Sequence, residues 1–222
     1  MTRWNPNFPT NKDYWKAAKI FPGDPIRKSI SDMGCSVQEL NFLFEEGIHE
    51  WQQVLYNKVH KIEIAYTCTV FYYENGIQDI ELSKMPEGDM HRKIMFDFFV
   101  DMGLYSVYSA FDVIGHILNN RYNLGIDDRK IYFGTAVDKL KDKDNDLFKK
   151  LDAIRNTNEY RKGKIRNDFA HNIPPTEMLG FVIERKNNVI SMKENDRKLS
   201  SEMMETFKDV VDLLQEAANI IK

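Results

Sequence analysis

Two stretches of the chain repeat apolar residues at helical spacing over long distances. The first begins near Val37 and continues to about Tyr73, with steps of three and four residues between apolar positions. These positions are Leu40, Phe44, Ile48, Trp51, Leu55, Val59, Ile62 and Tyr66. The second stretch runs roughly from His91 to Tyr122, and its apolar residues surround most of the helix circumference. We therefore predict two long helices, of which the second is central and the most buried.

Shorter patterns fill most of the remaining chain. They predict helices over Phe133 to Lys141, Asp146 to Asn156 and Asn158 to Ala170, and a last helix from about Ser200. Short β-branched arms around residues 185–188 predict a small β-hairpin at about residues 179–194. The predicted fold class is all-α: an up-and-down helical bundle with two long helices, several shorter ones and the hairpin as a decoration.

The first 36 residues have a different character because they are rich in Pro, Asn and Gly. The prolines at positions 6, 9, 22 and 25 predict an irregular arm with one turn of helix around Lys12 to Ala18. We therefore divide the chain into an arm, residues 1–36, packed on a helical domain, residues 37–222.

Composition narrows the classes of function. The chain has 222 residues, 42% of them apolar, which is enough to bury a sizeable core. A net charge of -3 argues against binding of duplex DNA by the protein surface as a whole, so any contact with nucleic acid must be made by a local patch. Two cysteines are too few for a disulfide framework, and the start of the chain lacks the apolar segment of a signal peptide. The stretch from Phe96 to Leu118 contains three aspartates that disfavour lipid, so we expect a soluble protein without a membrane span. The small number of cysteines indicates a reducing cytoplasm.

A basic patch stands out within this acidic protein. Between positions 155 and 166 there are five positive residues and one acid, Glu159. The positive residues are Arg155, Arg161, Lys162, Lys164 and Arg166. The sequence Arg166-Asn-Asp-Phe-Ala-His171 follows at once, and Pro174 comes three residues later. On a continuous helix, residues five apart point about 140° away from each other. Because Pro174 ends helical geometry, His171 would lie on the final turn and be free to approach Arg166.

Arg166 and His171, with Asn167 after the arginine, resemble the signature of the HEPN superfamily, in which four to six residues separate an Arg from a following His. The two long helices, the central helix carrying Asp112 and the late hairpin look like the Cthe_2314-like HEPN group. The resemblance implies a HEPN-like helical bundle and metal-independent cleavage of RNA, in which the ribose 2′-hydroxyl attacks the adjacent phosphorus.

The same resemblance assigns roles to residues. His171 would transfer protons near neutral pH, and Arg166 would bind the phosphate as charge develops. Asn167, Lys164 and Arg161 would contact the RNA, and neither a metal nor a cofactor is expected. Acid and base roles on opposite sides of one phosphate favour a homodimer with two histidines around one cleft. The expected setting is phage defence or a toxin-antitoxin system, with an antitoxin or a nucleotidyltransferase as protein partner.

Other motifs leave alternatives open. Glu46-x-x-His49 has the spacing used in di-iron helix bundles, but the chain has no second copy of it. Asp112 and His116 lie one helical turn apart and could be a metal or catalytic pair, although a hydrogen-bonded core pair is the better interpretation. The competing function is a helical module that binds RNA or a protein, or that dimerises, without catalysis.

Overall fold

The structure is a computed structural model that describes residues 8–33, 42–80, 84–162, 181–186, 189–194 and 198–222. The helices are α1 (Asn11–Ala18), α2 (Gly23–Asp32), α3 (Phe42–Glu74), α4 (Glu87–Tyr122), α5 (Phe133–Leu140), α6 (Asn145–Arg155), α7 (Asn158–Lys162) and α8 (Ser200–Ile221). A 3-10 turn spans Asp128–Lys130, and the strands are β1 (Phe181–Lys186) and β2 (Val189–Glu194). The described residues are mostly helical, which confirms the prediction of an all-α fold.

Helices α3 and α4 form the centre of the bundle as an antiparallel pair. Trp51 near the start of α3 stacks on His116 near the end of α4, and Tyr72 near the end of α3 stacks on Phe99. As the sequence predicts, α4 is buried around most of its circumference over its middle section. Fully burying one large apolar side chain stabilises a fold by roughly 1.5–3 kcal/mol. The many buried apolar side chains of α4 therefore contribute a large part of the stability of the core.

Both long helices end where the chain reaches the left-handed backbone region. Helix α3 ends at Glu74, and Gly76, two residues later, has φ of 83°, a conformation that glycine adopts readily at the end of a helix. Asn123 at the end of α4 has φ of 46°, and its backbone N–H donates to the carbonyls of the last helical turn. Asparagine tolerates this conformation better than most other residues, so it can end the helix without a glycine.

Helix α8 packs closely on α4 because α4 has a glycine at the crossing. A Cβ atom at Gly103 would lie only 2.1 Å from Cζ of Phe207, which is itself fully buried. The missing side chain at position 103 therefore makes room for the ring. This contact brings the last helix against the central one.

In the N-terminal arm, residues 11–18, where the sequence predicts a turn of helix, form α1, and residues 23–32, within the stretch predicted to be irregular, form a second helix, α2. The prolines are placed where a helix tolerates them: Pro22 is the N-cap of α2 and Pro25 lies in its first turn, where backbone N–H groups have no helical acceptor. Arg121 holds the arm to the bundle because its guanidinium donates to the carbonyl of Met33 at 2.6 Å and to that of Ile221. The arm is thus a packed part of the fold.

Strands β1 and β2 pair antiparallel, with Phe181 opposite Glu194 and Lys186 opposite Val189. They lie within the range in which the sequence predicts a hairpin.

By length and composition, α4 is a helix that could cross a membrane, and within the described residues no other helix meets that criterion. However, 56% of its apolar window is buried inside the protein. A central helix of a bundle has the same character, so the finding is weak evidence for a membrane span.

Candidate active-site region

The signature residues Arg166, Asn167 and His171, together with Lys164, lie outside the described residues. The described part of the chain reaches Lys162 and resumes at Phe181. Of the predicted site, Arg161 is described, and so is the helix α7 that leads into the signature. The structure therefore shows how helix α7, which precedes the signature in the sequence, is held on the core.

Helix α7 has a well-formed start. The hydroxyl of Thr157 accepts a hydrogen bond from the backbone N–H of Tyr160 at 3.1 Å and donates to the carbonyl of Ile154 at 2.8 Å. The carbonyl of Thr157 accepts from the backbone N–H of Arg161 at 3.1 Å. Threonine at this position satisfies an N–H group that would otherwise lack an acceptor at the helix start. Thr157 therefore joins the end of α6 to the start of α7.

Tyr160 anchors α7 to the core through an aromatic cluster. Its ring contacts Phe111 at 5.1 Å between centroids, Tyr108 at 5.7 Å and Phe133 at 5.8 Å. The first of these contacts is edge to face, an arrangement that aromatic rings favour. Because Phe111 and Phe133 are fully buried, the cluster ties α7 to both α4 and α5.

A hydrogen bond fixes the backbone at the same point. The hydroxyl of Tyr108 donates to the carbonyl of Tyr160 at 3.2 Å. Burial raises the pKa of Tyr108, and the nearby phenol of Tyr160 raises it further. The hydroxyl therefore stays protonated and able to donate over the whole neutral range. The chain leaves this anchor four residues before Lys164 and six before Arg166.

Arg161 is exposed, and its Nη2 donates to Oδ1 of Asn156 at 2.6 Å. Because this partner is neutral, the hydrogen bond itself does not neutralise the positive charge of the exposed guanidinium. Arg161 therefore stays a candidate RNA contact.

Arg155, the first residue of the predicted basic patch, forms ion pairs within the fold. Its guanidinium binds Asp138 at 2.7 Å and Asp152, and also donates to the carbonyl of Gly134 at 3.0 Å. Burial of the guanidinium lowers its pKa, but the hydrogen bonds to the two carboxylates outweigh this effect and raise the pKa overall. Arg155 thus cross-links α5 and α6, so the charge that it adds to the basic patch is paired with carboxylates within the fold.

Asp112 and His116 each serve the packing of the bundle. Oδ1 of Asp112 accepts from the backbone N–H of Phe133 at 3.2 Å, which satisfies a donor at the start of α5. The ring of His116 stacks on Trp51 with centroids 3.8 Å apart and an angle of 17°. Burial lowers the pKa of His116, although Asp128 and Asp112 act in the opposite direction. Neither contact was evident from spacing alone, because both depend on partners distant in sequence.

No cluster of three or more His, Cys, Asp or Glu side chains able to hold a metal ion occurs within the described ranges. His49, from the Glu46-x-x-His49 motif, is exposed on α3. The described residues therefore offer no geometry for a di-iron site at this motif.

A family profile matches most of the chain. The profile of the Cthe_2314-like HEPN family matches residues 51–222, which is well over half of the chain and includes the signature segment. No curated protein and no solved structure matches the chain.

Proposed function

Because this chain belongs to the Cthe_2314-like HEPN family, we propose that it is a metal-independent endoribonuclease whose reaction is carried out by Arg166 and His171. One observation carries the proposal: the chain retains both residues at the signature spacing, with Asn167 between them, inside the region that the family profile matches. Helix α7, which ends four residues before Arg166 in the sequence, is anchored to the core through Tyr160, and this is consistent with the proposal.

The chemistry follows from these residue types. The 2′-oxygen of a ribose forms a bond to the adjacent phosphorus, and the bond from phosphorus to the 5′-oxygen breaks. A base takes the proton of the 2′-hydroxyl, and an acid gives a proton to the departing 5′-oxygen. Histidine titrates near neutral pH and can take either role. The planar guanidinium of Arg166 would bind the non-bridging oxygens and stabilise the charge that develops on them.

One histidine cannot easily occupy both sides of a phosphate at once. We propose that the protein is a homodimer in which His171 and Arg166 of two protomers surround one cleft. RNA with an accessible single-stranded stretch is the proposed substrate, since in-line attack needs a backbone that an A-form helix does not readily supply. Asn167, Lys164 and Arg161 would guide it.

The proposed setting is the cytoplasm, in phage defence or in a toxin-antitoxin pair whose partner is an antitoxin or a nucleotidyltransferase. The defence setting and the partner are inferred from the family alone, whereas the cytoplasm is inferred from the composition of the chain.

The end groups of the product test the mechanism. Purified protein is incubated with a labelled RNA in the presence of a chelator, and the fragments are analysed by mass spectrometry. We expect a 2′,3′-cyclic phosphate on one fragment and a 5′-hydroxyl on the other. A single 2′-deoxy substitution at the cleaved position should block cleavage there and leave other sites unchanged.

The opposite results have distinct meanings. A 5′-phosphate product, or undiminished cleavage at the deoxy position, would exclude attack by the 2′-hydroxyl. RNA that stays intact would favour the alternative, a helical module that binds RNA or protein without catalysis.

A further inference from the structure

The start of helix α5 exposes an aromatic ring between two lysines. Tyr132, the N-cap of α5, is 53% exposed, although Phe133 directly after it is fully buried. Lys130 lies two residues before Tyr132, and Lys139 lies seven residues after it, a distance of two helical turns. Both lysines are exposed. We refer to Lys130, Tyr132 and Lys139 as the α5 face.

Nearby carboxylates do not bind the two lysines of the α5 face. Asp138, beside Lys139, is bound at 2.7 Å by the guanidinium that cross-links α5 and α6. Oδ1 of Asp127, three residues before Lys130, accepts a backbone N–H of the 3-10 turn at 3.0 Å. In the parts of the chain that the structure describes, neither lysine forms an ion pair. The two ammonium groups therefore retain their capacity to bind an anionic ligand.

Hydrogen bonds and close packing fix the backbone of the α5 face. The hydroxyl of Thr135 accepts the backbone N–H of Tyr132 at 2.9 Å and donates to the carbonyl of Lys130 at 2.8 Å. Behind Tyr132, α4 has Gly115, where a Cβ atom would lie 3.0 Å from the carbonyl carbon of Tyr132. A ligand therefore meets a ring and a lysine whose backbone is already in place, which reduces the entropy that binding costs.

The chemistry of the α5 face matches a single-stranded polynucleotide. An exposed aromatic ring can stack on an unpaired base, and positive side chains around it can bind the phosphates of the same strand. Base pairs in a duplex are stacked on each other and offer no free base to Tyr132. A lipid surface is a poorer match, because Thr135 and Lys139 beside the ring are polar and would not enter the acyl region.

The α5 face is also linked to the helix that precedes the signature. Phe133, the residue after Tyr132, contacts the ring of Tyr160 at 5.8 Å between centroids. Tyr160 belongs to α7, which ends at Lys162, four residues before Arg166 in the sequence. A strand stacked on Tyr132 would therefore be bound beside the aromatic cluster that anchors α7.

We propose that the α5 face binds single-stranded RNA, with Tyr132 stacked on an unpaired base and with Lys130 and Lys139 on phosphates of the same strand. The binding does not depend on cleavage, but the further claim that this strand is the substrate of Arg166 and His171 rests on the nuclease function proposed above.

The test measures binding separately from cleavage. The probe is a fluorescently labelled RNA of about 12 nucleotides without self-complementarity, a length within the site sizes of single-strand-binding folds. Its riboses carry 2′-fluoro groups, so that attack by a 2′-hydroxyl cannot cut it. Fluorescence anisotropy gives the Kd over a range of salt concentrations for wild type, Tyr132→Ala, Tyr132→Phe, Lys130→Ala and Lys139→Ala. Arg129→Ala is the matched control, because Arg129 is an exposed cation next to Lys130 that is not part of the α5 face.

We expect Tyr132→Ala to raise the Kd at least about fivefold with an unchanged salt dependence, because it removes stacking and no charge. Tyr132→Phe keeps the ring and should stay within about twofold of wild type. Each lysine variant should lower the slope of log Kd against log salt concentration by about 0.7, the value for one phosphate contact on a single strand. Arg129→Ala should keep the wild-type slope, and circular dichroism should show wild-type helical content for all variants.

Absence of binding by wild type, or a wild-type Kd for Tyr132→Ala, would overturn the proposal. Equal losses in Arg129→Ala and in the lysine variants would also overturn it, because they would indicate a general attraction to surface charge. Tighter binding of a deoxyribose strand of the same sequence through the same residues would reassign the face to single-stranded DNA. Cleavage of unmodified RNA by Tyr132→Ala with wild-type kcat/KM would remove the face from the path of the substrate and leave the nuclease intact. Binding through the α5 face by a protein that never cleaves RNA would refute the nuclease and leave the binding surface.

Discussion

The hydroxyl of Tyr108 provides a direct way to test whether α7 holds the start of the signature segment. Tyr108→Phe keeps the ring, and with it the contacts to Phe111 and Tyr160, but removes the donor to the Tyr160 carbonyl at 3.2 Å. A hydrogen bond of this kind contributes about 1 kcal/mol to stability, and slightly more when its loss leaves a partly buried carbonyl without its donor. We expect the free energy of unfolding to fall by about 1–1.5 kcal/mol.

Urea denaturation measures this loss, provided that the dependence on urea concentration is unchanged. Hydrogen exchange measured by mass spectrometry adds the local information. Peptides from residues 157–171 should exchange faster in Tyr108→Phe, whereas peptides from α3 should not change. Tyr56→Phe is the matched control, because Tyr56 lies on α3 and its ring contacts His60. It should leave the exchange of residues 157–171 unchanged.

Wild-type stability of Tyr108→Phe, together with unchanged exchange in residues 157–171, would refute this role of the hydroxyl. A loss of protection spread evenly over the molecule would also refute it, because the bond would then contribute to global stability without holding α7. If the nuclease proposal is correct, the same variant should cleave RNA more slowly, with the reduction in kcat rather than in KM. A lower kcat with unchanged KM indicates a positioning role.

Three further predictions concern the core. Gly103→Ala should destabilise the protein by about 1–3 kcal/mol in urea denaturation, because the new Cβ would overlap the ring of Phe207; adding Phe207→Leu should recover part of the loss, and equal stability of wild type and Gly103→Ala would contradict the packing. Burial raises the pKa of the Cys68 thiol to about 11, so it should resist alkylation at pH 8 in peptide-resolved mass spectrometry, and its contribution to stability should be lost as pH rises from about 9 through 11. Burial lowers the pKa of His116, so the free energy of unfolding should fall as pH drops below about 6.5; His116→Phe, which keeps a ring on Trp51, should show a smaller fall, and identical pH profiles would refute this role.

The long helices could be predicted from sequence because their apolar spacing is a local property. Steps of three and four residues identify α3, and Asn75-Gly76 identifies its end. The arm shows where local reasoning fails. Pro22 and Pro25 indicate a break when only composition is considered, but a proline at a helix start costs no backbone hydrogen bond. Whether a proline precedes a helix or interrupts a loop depends on the packing that follows, which composition does not reveal.

The candidate site shows the same contrast between features that are local in the sequence and features that depend on packing. The signature of Arg166 and His171 is contiguous, so it could be found in the sequence. The contacts that hold α7 to the core could not be predicted from the sequence, because Tyr160 contacts Tyr108 and Phe133 only after the chain has folded. Arg155 illustrates the converse error: a charge near the signature looks like part of a basic patch until its partners Asp138 and Asp152 are known. Charge counted along a chain does not distinguish a free cation from an internal ion pair.

The most direct test of the nuclease proposal is the initial rate of RNA cleavage in chelator by wild type, Arg166→Ala and His171→Ala. Arg129→Ala and His49→Ala are the matched controls, since both residues are exposed and lie away from α7 in the sequence. We expect both controls to cleave at the wild-type rate, and the two site variants to be slower by a factor of about 100 or more at unchanged helical content. Cleavage by Arg166→Ala and His171→Ala at the wild-type rate would contradict the proposed function.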